Sequence, residues 1–136
     1  MNKPIGYWVK NLDQLIESRL DAVLDRHDLN RRKWQALNVV DAARTSQTDI
    51  ARELQPFLET PEEAERLVDE LLEGGWVSAS DGVLQPTQIG RERMNLAAHD
   101  VTAERQRISE GISASDYETT VRTLSIMCRN LESEPA

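Results

Sequence analysis

Apolar residues recur at three- and four-residue spacing in several segments, which indicates amphipathic helices. A first helix is predicted over residues 4–26, with Pro4 in its first turn. Its apolar stripe consists of Ile5, Trp8, Leu12, Leu15, Ile16, Leu20, Val23 and Leu24. A second helix is predicted from Asn30, a suitable N-cap, to Ala43. The apolar stripe of this second helix consists of Trp34, Leu37 and Val40, with Ala36 beside them.

Two short helices follow, and each begins at a sequence with the form of a capping box. SQTD at 46–49 begins a helix that Pro56 ends or interrupts. TPEE at 60–63 places Thr60 as N-cap, Pro61 at the first helical position and Glu63 as the box partner. A glycine pair at 74–75 ends this fourth helix. Its predicted apolar face consists of Ala64, Leu67, Val68, Leu71 and Leu72.

A hairpin is predicted next, because Ser80-Asp81-Gly82 separates short strand-like runs at 76–79 and 83–85. Thr87 then begins a long helix that reaches about Glu110, and a last helix begins at Ser113 or Ser115. The residues of the long helix that are expected to face inward are Ile89, Ala97, Val101 and Ile108. The stripe of the last helix consists of Tyr117, Val121, Leu124, Cys128 and Leu131.

This order of elements predicts a mainly α fold with a small two-stranded β-wing. Two helices and a tight hairpin after a leading helix follow the winged helix-turn-helix plan. We therefore expect the whole chain, 1–136, to form a single domain with a winged-helix lobe at 28–91. The flanking segments 1–27 and 92–136 carry apolar stripes that this small lobe cannot fully cover. Two copies of the chain that pack together through these helices would bury them.

Three segments, in this order, resemble the MarR family of bacterial transcription regulators. IGYWVKNLDQLIESRLDAVLDRHDLNRRKWQALNVV resembles the first two helices of the family, and RLVDELLEGGWV resembles its recognition helix and first wing strand. PTQIGRER resembles the segment at the exit of the wing, with Thr87, Gly90 and Arg91 in register. The resemblance implies a homodimer that binds double-stranded DNA through one lobe of each subunit. It also implies a small-molecule cleft between the lobe and the dimerisation helices.

Candidate site residues follow from this resemblance and from residue chemistry. The bases near the second helix can anchor phosphates, and aromatic side chains beside amides suit a small-molecule pocket. The predicted DNA-binding residues are Arg31, Arg32, Arg44, Thr60, Glu62, Glu63, Glu65 and Arg66. The predicted effector pocket consists of Trp8, Asn11, Leu12, Leu15, Trp34 and Asn38. The predicted dimer interface consists of Ile5, Tyr7, Val121, Leu124, Cys128 and Leu131.

The charge distribution leaves a second hypothesis open. Residues 49–81 hold ten acidic residues and two arginines, a local charge of −8 that equals the net charge of the chain. Such a balance disfavours attraction to nucleic acid. Relative to the family, carboxylates replace hydroxyl residues at the start of the recognition helix, and the wing SASDGV has no arginine or lysine. The chain is thus either an effector-responsive DNA-binding regulator, or a winged-helix protein that has lost general DNA binding. The second would act through an effector or a protein partner at its acidic helix.

Other functional classes find little support in the sequence. No nucleophile–base pairing or phosphate-cradling glycine loop is visible, and His27 and His99 lack a metal-ligand pattern, so we expect no enzyme, cofactor or metal. The single cysteine, Cys128, cannot form an internal disulfide and is predicted to be buried. No signal-peptide pattern or apolar stretch of membrane-spanning length is present, which favours a cytoplasmic protein without a membrane partner.

Overall fold

The computed structural model describes residues 2–135 and confirms a mainly α fold with a two-stranded wing. Within that range the helices and strands are α1 (Ile5–Arg26), α2 (Arg31–Ala42), α3 (Gln47–Leu54), α4 (Pro61–Glu73), β1 (Val77–Ser80), β2 (Val83–Pro86), α5 (Gln88–Ile108) and α6 (Ala114–Glu132). A 3-10 turn, Gln55–Phe57, extends α3 and contains Pro56. The chain forms two compact units, the first ending at Val101 and the second beginning at Thr102, within α5.

The first unit has one hydrophobic core to which all of its elements contribute. The predicted apolar side of α2 is confirmed for Ala36, Leu37 and Val40, which are buried, while Trp34 is half-buried against the core. From α1 only Val23 and Leu24 are buried. The other core residues include Leu29, Ile50, Leu54, Leu67, Val68, Leu71, Trp76, Val77, Leu84, Met94, Ala97 and Val101. Burial of these apolar side chains from water is the main contribution to the stability of the lobe.

The two sequences that resemble capping boxes differ in the structure. At α3 the box is complete: the Ser46 hydroxyl accepts from the Asp49 N–H at 3.2 Å, and the Ser46 N–H donates to Asp49 Oδ2 at 2.9 Å. At α4 the box predicted for Thr60 and Glu63 is wrong. Thr60 is the N-cap, but its hydroxyl makes no capping bond. Its backbone carbonyl accepts from Glu63 N–H, and the Glu63 carboxylate accepts from Glu59 N–H at 3.3 Å.

Several other expectations need correction. Pro4 is the N-cap of α1 and precedes its first turn. Leu72 and Ile89 are exposed, at 36% and 64%, since each lies one residue away from the buried phase of its helix. In α5 the buried residues of the first unit are Gly90, Met94, Ala97 and Val101. Ile108 and Cys128, expected to be inward-facing or buried, are exposed as well.

The wing is the predicted hairpin, with Val77 opposite Pro86 and Ser80 opposite Val83. Asp81 and Gly82 have φ values of 51° and 77°, as a type I′ turn requires at both central positions. The loop between α2 and α3 joins this small sheet, since the Leu84 N–H donates to the Thr45 carbonyl at 2.8 Å. Thr45 is buried, and its hydroxyl donates to the Ala43 carbonyl at 2.6 Å. The wing is therefore attached to the helical part of the lobe as well as to its own turn.

Candidate nucleic-acid interface

Helix α4 is held with one face in the core and the other in solvent. Its inner face, formed by Ala64, Leu67, Val68 and Leu71, is buried. At its C-terminus Trp76 N–H donates to the Leu71 carbonyl at 3.0 Å and Gly75 N–H to the Leu72 carbonyl at 3.2 Å, which is a Schellman motif. Gly75 has a φ of +75°, the left-handed conformation that this motif needs. The rotation of α4 about its axis is thus set by the core.

We name the outward surface of α4 the acidic face; its acids are Glu62, Glu65, Asp69 and Glu73, and all four are exposed. Residues at this spacing lie on one side of a helix. Arg66, also exposed, is the basic residue of this surface, and Leu72 lies among the acids. No side-chain hydrogen bond or ion pair of these four carboxylates is found within the described part of the chain. The acidic face therefore exposes its negative charge to any partner that binds α4.

The arginine expected to anchor phosphates at the start of α2 is engaged elsewhere. Arg31 donates to both carboxylate oxygens of Asp21, at 2.8 and 3.0 Å, and lies 3.4 Å from Glu17. The hydrogen bond with Asp21 raises the pKa of Arg31, and the same bond lowers the pKa of Asp21. The guanidinium of Arg31 consequently ties α2 to α1. Binding a phosphate through this side chain would require these bonds to be exchanged.

The remaining basic residues near α4 make only weak contacts with other side chains or are exposed. Arg32 donates to Gln35 at 2.9 Å, and its guanidinium lies 5.1 Å from the centre of the Phe57 ring. Lys33 lies 4.0 Å from Glu70 across the gap between α2 and α4. Arg44 is exposed at the end of α2. These side chains supply weak positive charge beside α4 but leave the acidic face itself uncompensated.

The structure does not test the predicted effector pocket. One open cavity of about 160 Å³ is lined by Asn30, Arg32, Leu58, Glu63, Arg66, Leu67 and Glu70. A second depression is lined by Asp21, Ala22, Asp25, Leu29 and Asn30. Neither contains Trp8, Leu12 or Leu15, which are exposed on α1, or the half-buried Asn11. On α2 the Asn38 amide donates to the Trp34 carbonyl at 3.0 Å and so bonds to its own helix.

Both sets of predicted dimer residues carry exposed apolar surface. In the first unit Ile5 and Tyr7 are exposed near the start of α1, and Tyr7 packs edge-to-face with Trp8 at 5.1 Å. In the second unit no described residue of α6 is buried. Its exposed side chains include Tyr117, Val121, Ile126, Met127, Cys128 and Leu131, and Leu124 is half-buried. Apolar patches of this kind on a folded chain indicate interaction surfaces.

Between residues 2 and 135, no three His, Cys, Asp or Glu side chains cluster closely enough to hold a metal ion. No helix in the described chain is both long and apolar enough to cross a membrane.

Sequence periodicity did not point to Thr45 and Trp76, which position this surface. Thr45 attaches the wing to the helices, and Trp76, only 1% exposed, ends α4 and begins the wing. The sequence signal for Trp76 is its position directly after the glycine pair that ends α4. Thr45 has no comparable local signal, because its pairing with Leu84 depends on the tertiary structure.

Known proteins share this arrangement. No protein-family sequence model matches the chain, and no curated protein matches it in sequence. Among solved structures, a MarR family protein of Mycobacterium tuberculosis in complex with DNA is 20% identical, with a TM-score of 0.72 over 93% of this chain and 98% of that one. The fold is that of the MarR family.

Two further MarR-type structures extend the comparison. MepR, a transcription regulator of the Staphylococcus aureus multidrug efflux pump MepA, is 18% identical, with a TM-score of 0.78 over 95% of this chain and 99% of that chain. A MarR family transcriptional regulator of a Rhodococcus species is 24% identical, with a TM-score of 0.67 over 90% of this chain and 91% of that chain. The similarity covers nearly the full length of each protein, so the MarR fold includes the helices on both sides of the winged-helix lobe.

Proposed function

We propose that the chain is a homodimeric, MarR-type transcription regulator that binds a pseudo-palindromic operator through α4 and the wing. The observation that carries the proposal is the placement of α4, with its inner face fixed in the core and its outer face exposed beside a hairpin wing. The same fold occurs in the M. tuberculosis MarR family protein that was crystallised with DNA. In winged helix-turn-helix proteins this second helix of the motif enters the major groove.

The exposed apolar residues of α1 and α6 support the homodimer. Each unit leaves large side chains in solvent that its own core does not cover, including Ile5 and Tyr7 in the first and Val121 and Leu131 in the second. Two-fold association would bury such surface in both subunits at once. Light scattering at micromolar concentration should give about twice the chain mass of 15.4 kDa. A mass of one chain would refute the dimer.

A small-molecule effector is part of the proposal. The M. tuberculosis MarR family protein was also crystallised with p-aminosalicylic acid. For this chain the proposed pocket remains that of Trp8, Asn11 and Trp34 with their neighbours, where aromatic surface and amides occur together. Isothermal titration with aromatic acids, repeated on Trp8→Ala and on an Arg66→Ala control, tests it. A loss of binding confined to the Arg66 variant would place the effector in the cavity between α2 and α4 instead.

A specific observation favours a second function. Four uncompensated carboxylates on the acidic face, and a wing without a basic residue, suit a basic protein partner better than a polyanion. A close pair of like charges costs about 1 kcal/mol in water and more as an interface dries. In this case the chain would keep the MarR fold and the dimer but would not bind DNA in general.

One titration separates the two functions. Fluorescently labelled DNA from the region upstream of the gene is titrated with the protein at low and at moderate salt. A regulator should bind specifically with a Kd below about 1 μM and lose affinity as salt rises, because counterions are released from the DNA. No binding even at low salt removes the first function and leaves the partner-binding function.

A further inference from the structure

Three chain segments meet at the backbone around Trp76, where α4 ends, the wing begins and α5 starts. The Thr87 hydroxyl donates to the Gly75 carbonyl at 2.6 Å and accepts from the Gly90 N–H at 2.8 Å. The Thr87 N–H donates to the Trp76 carbonyl at 3.0 Å. A single threonine thus bonds both to the end of α4 and to the first turn of α5.

The approach of α5 to this point is closer than a side chain allows. A Cβ on Gly90 would lie 2.1 Å from the Trp76 carbonyl oxygen and 2.8 Å from its carbon. Both atoms are backbone, so they cannot swing away as the end of a flexible side chain would. Gly90 is therefore needed for the contact between the two backbones. This need comes from the lack of space for a Cβ, because the φ of Gly90 is not in the left-handed region that favours glycine.

The next turn of α5 contacts the Trp76 side chain. The indole is 1% exposed, and the Arg93 guanidinium lies 3.8 Å from its ring centre, a cation–π contact. Arg93 also lies 3.9 Å from Asp28 in the loop after α1. Farther along α5, Asp100 Oδ2 lies 2.7 Å from His27 Nε2 at the C-terminus of α1. Helix α5 is thus tied to the end of α4 on one side and to the end of α1 on the other.

We propose that Trp76, Thr87 and Gly90 form a rigid joint that holds the end of α4, the wing and the first turns of α5 as one body. Thr87 and Gly90 are then positioning residues for the acidic face of α4. With the joint intact, a movement of α5 changes the orientation of α4 and the wing. With the joint broken, the segment between Gly74 and Thr87 absorbs that movement. The joint is a property of the fold, and only its effect on DNA affinity rests on the proposed function.

Hydrogen exchange on Thr87→Val tests the joint, with Thr87→Ser as the matched control because serine keeps the hydroxyl. The valine variant should raise the exchange rates of the Gly75, Trp76 and Gly90 amides together, by roughly 3- to 10-fold for the loss of the hydrogen bonds of the Thr87 hydroxyl. Amides in the middle of α2 should change little. Serine should restore the slow rates.

Two outcomes would overturn the proposal. A faster rate at Gly90 alone would show that Thr87 is only a local cap of α5, without a mechanical link to α4. An equal rise throughout the first unit would show a general loss of stability. Gly90→Ala gives a second measurement, in which the same group of amides should exchange faster still. A folded alanine variant with unchanged rates would contradict the rigidity of the joint.

DNA titration of the same variants distinguishes a failed joint from a failed function. Where the wild type binds DNA, Thr87→Val should bind several-fold more weakly and Thr87→Ser close to normally. Wild-type protein that binds no DNA, with the exchange pattern as expected, refutes the proposed regulator and supports the joint. Weaker DNA binding by the valine variant with unchanged exchange rates refutes the joint.

Discussion

The acidic face offers the most direct test of what α4 does. Replacing both Glu62 and Glu65 by serine removes two exposed carboxylates that have no basic partner in the described structure. If α4 enters the major groove, each carboxylate lies near phosphates, and one close like-charge pair costs about 1 kcal/mol in water. Removing two such pairs should gain about 2 kcal/mol, which corresponds to a roughly 30-fold lower Kd.

The assay is fluorescence anisotropy of labelled upstream DNA at low salt, repeated as salt is increased. The gain should shrink with salt, because the screening length falls to about 8 Å at physiological ionic strength. Thermal unfolding of the variant is measured alongside. Glu62 lies in the first turn of α4, where a carboxylate stabilises the helix by roughly 0.3–1 kcal/mol, so a slightly lower Tm is expected.

A matched control carries the same change in net charge outside α4. Glu110 and Glu134 are both exposed and lie in the second unit, and their replacement by serine should alter DNA affinity little. Equal tightening by both double variants would mean that net charge alone sets the affinity. Unchanged or weaker affinity after the Glu62 and Glu65 replacement would refute the idea that these acids face a groove.

Three further predictions concern caps, pH and assembly. Ser46→Ala should lower the free energy of unfolding in urea by about 1 kcal/mol, whereas Thr60→Ala should change it by less than about 0.5 kcal/mol. The reason is that the Ser46 hydroxyl makes a capping bond and the Thr60 hydroxyl does not, and equal losses would contradict it. The hydrogen bond from His27 lowers the pKa of Asp100, so its stabilisation is present above the ordinary carboxyl pKa and is lost as pH falls through the folded value. Asp100→Asn should therefore destabilise the protein at neutral pH, and the difference from wild type should narrow in acid-unfolding curves; a constant difference would refute the linkage. Val121→Asp, on the exposed face of α6, should halve the mass seen by light scattering without unfolding the chain, and an unchanged mass would remove Val121 from the interface.

The order and bounds of the helices were largely predictable from the sequence, because local signals specify them. Asn30 caps α2 as predicted, with its side chain accepting from Lys33 N–H. Gly75 ends α4, and Asp81-Gly82 forms the turn of the wing. Each of these features depends on a few neighbouring residues, and the chemistry of those residues favours one local conformation.

The predictions that were wrong concern positions where the local sequence permits more than one arrangement. Both SQTD and TPEE fit a capping box, yet only Ser46 forms one, since Glu63 bonds to the Glu59 amide instead. Leu72 and Ile89 are apolar but exposed, because the core selects a slightly different face of each helix. Periodicity over a few turns does not resolve one residue at the border of an apolar face.

By itself the sequence determined the mainly α winged-helix plan and the concentration of negative charge on α4, since periodicity, caps and residue chemistry are local properties. Only the tertiary structure decided which side of α4 is exposed and that Arg31 is committed to Asp21. It alone also revealed that Gly90 is needed for contact with the Trp76 backbone. These features require packing between elements separated along the chain, and packing selects among the alternatives that local sequence permits.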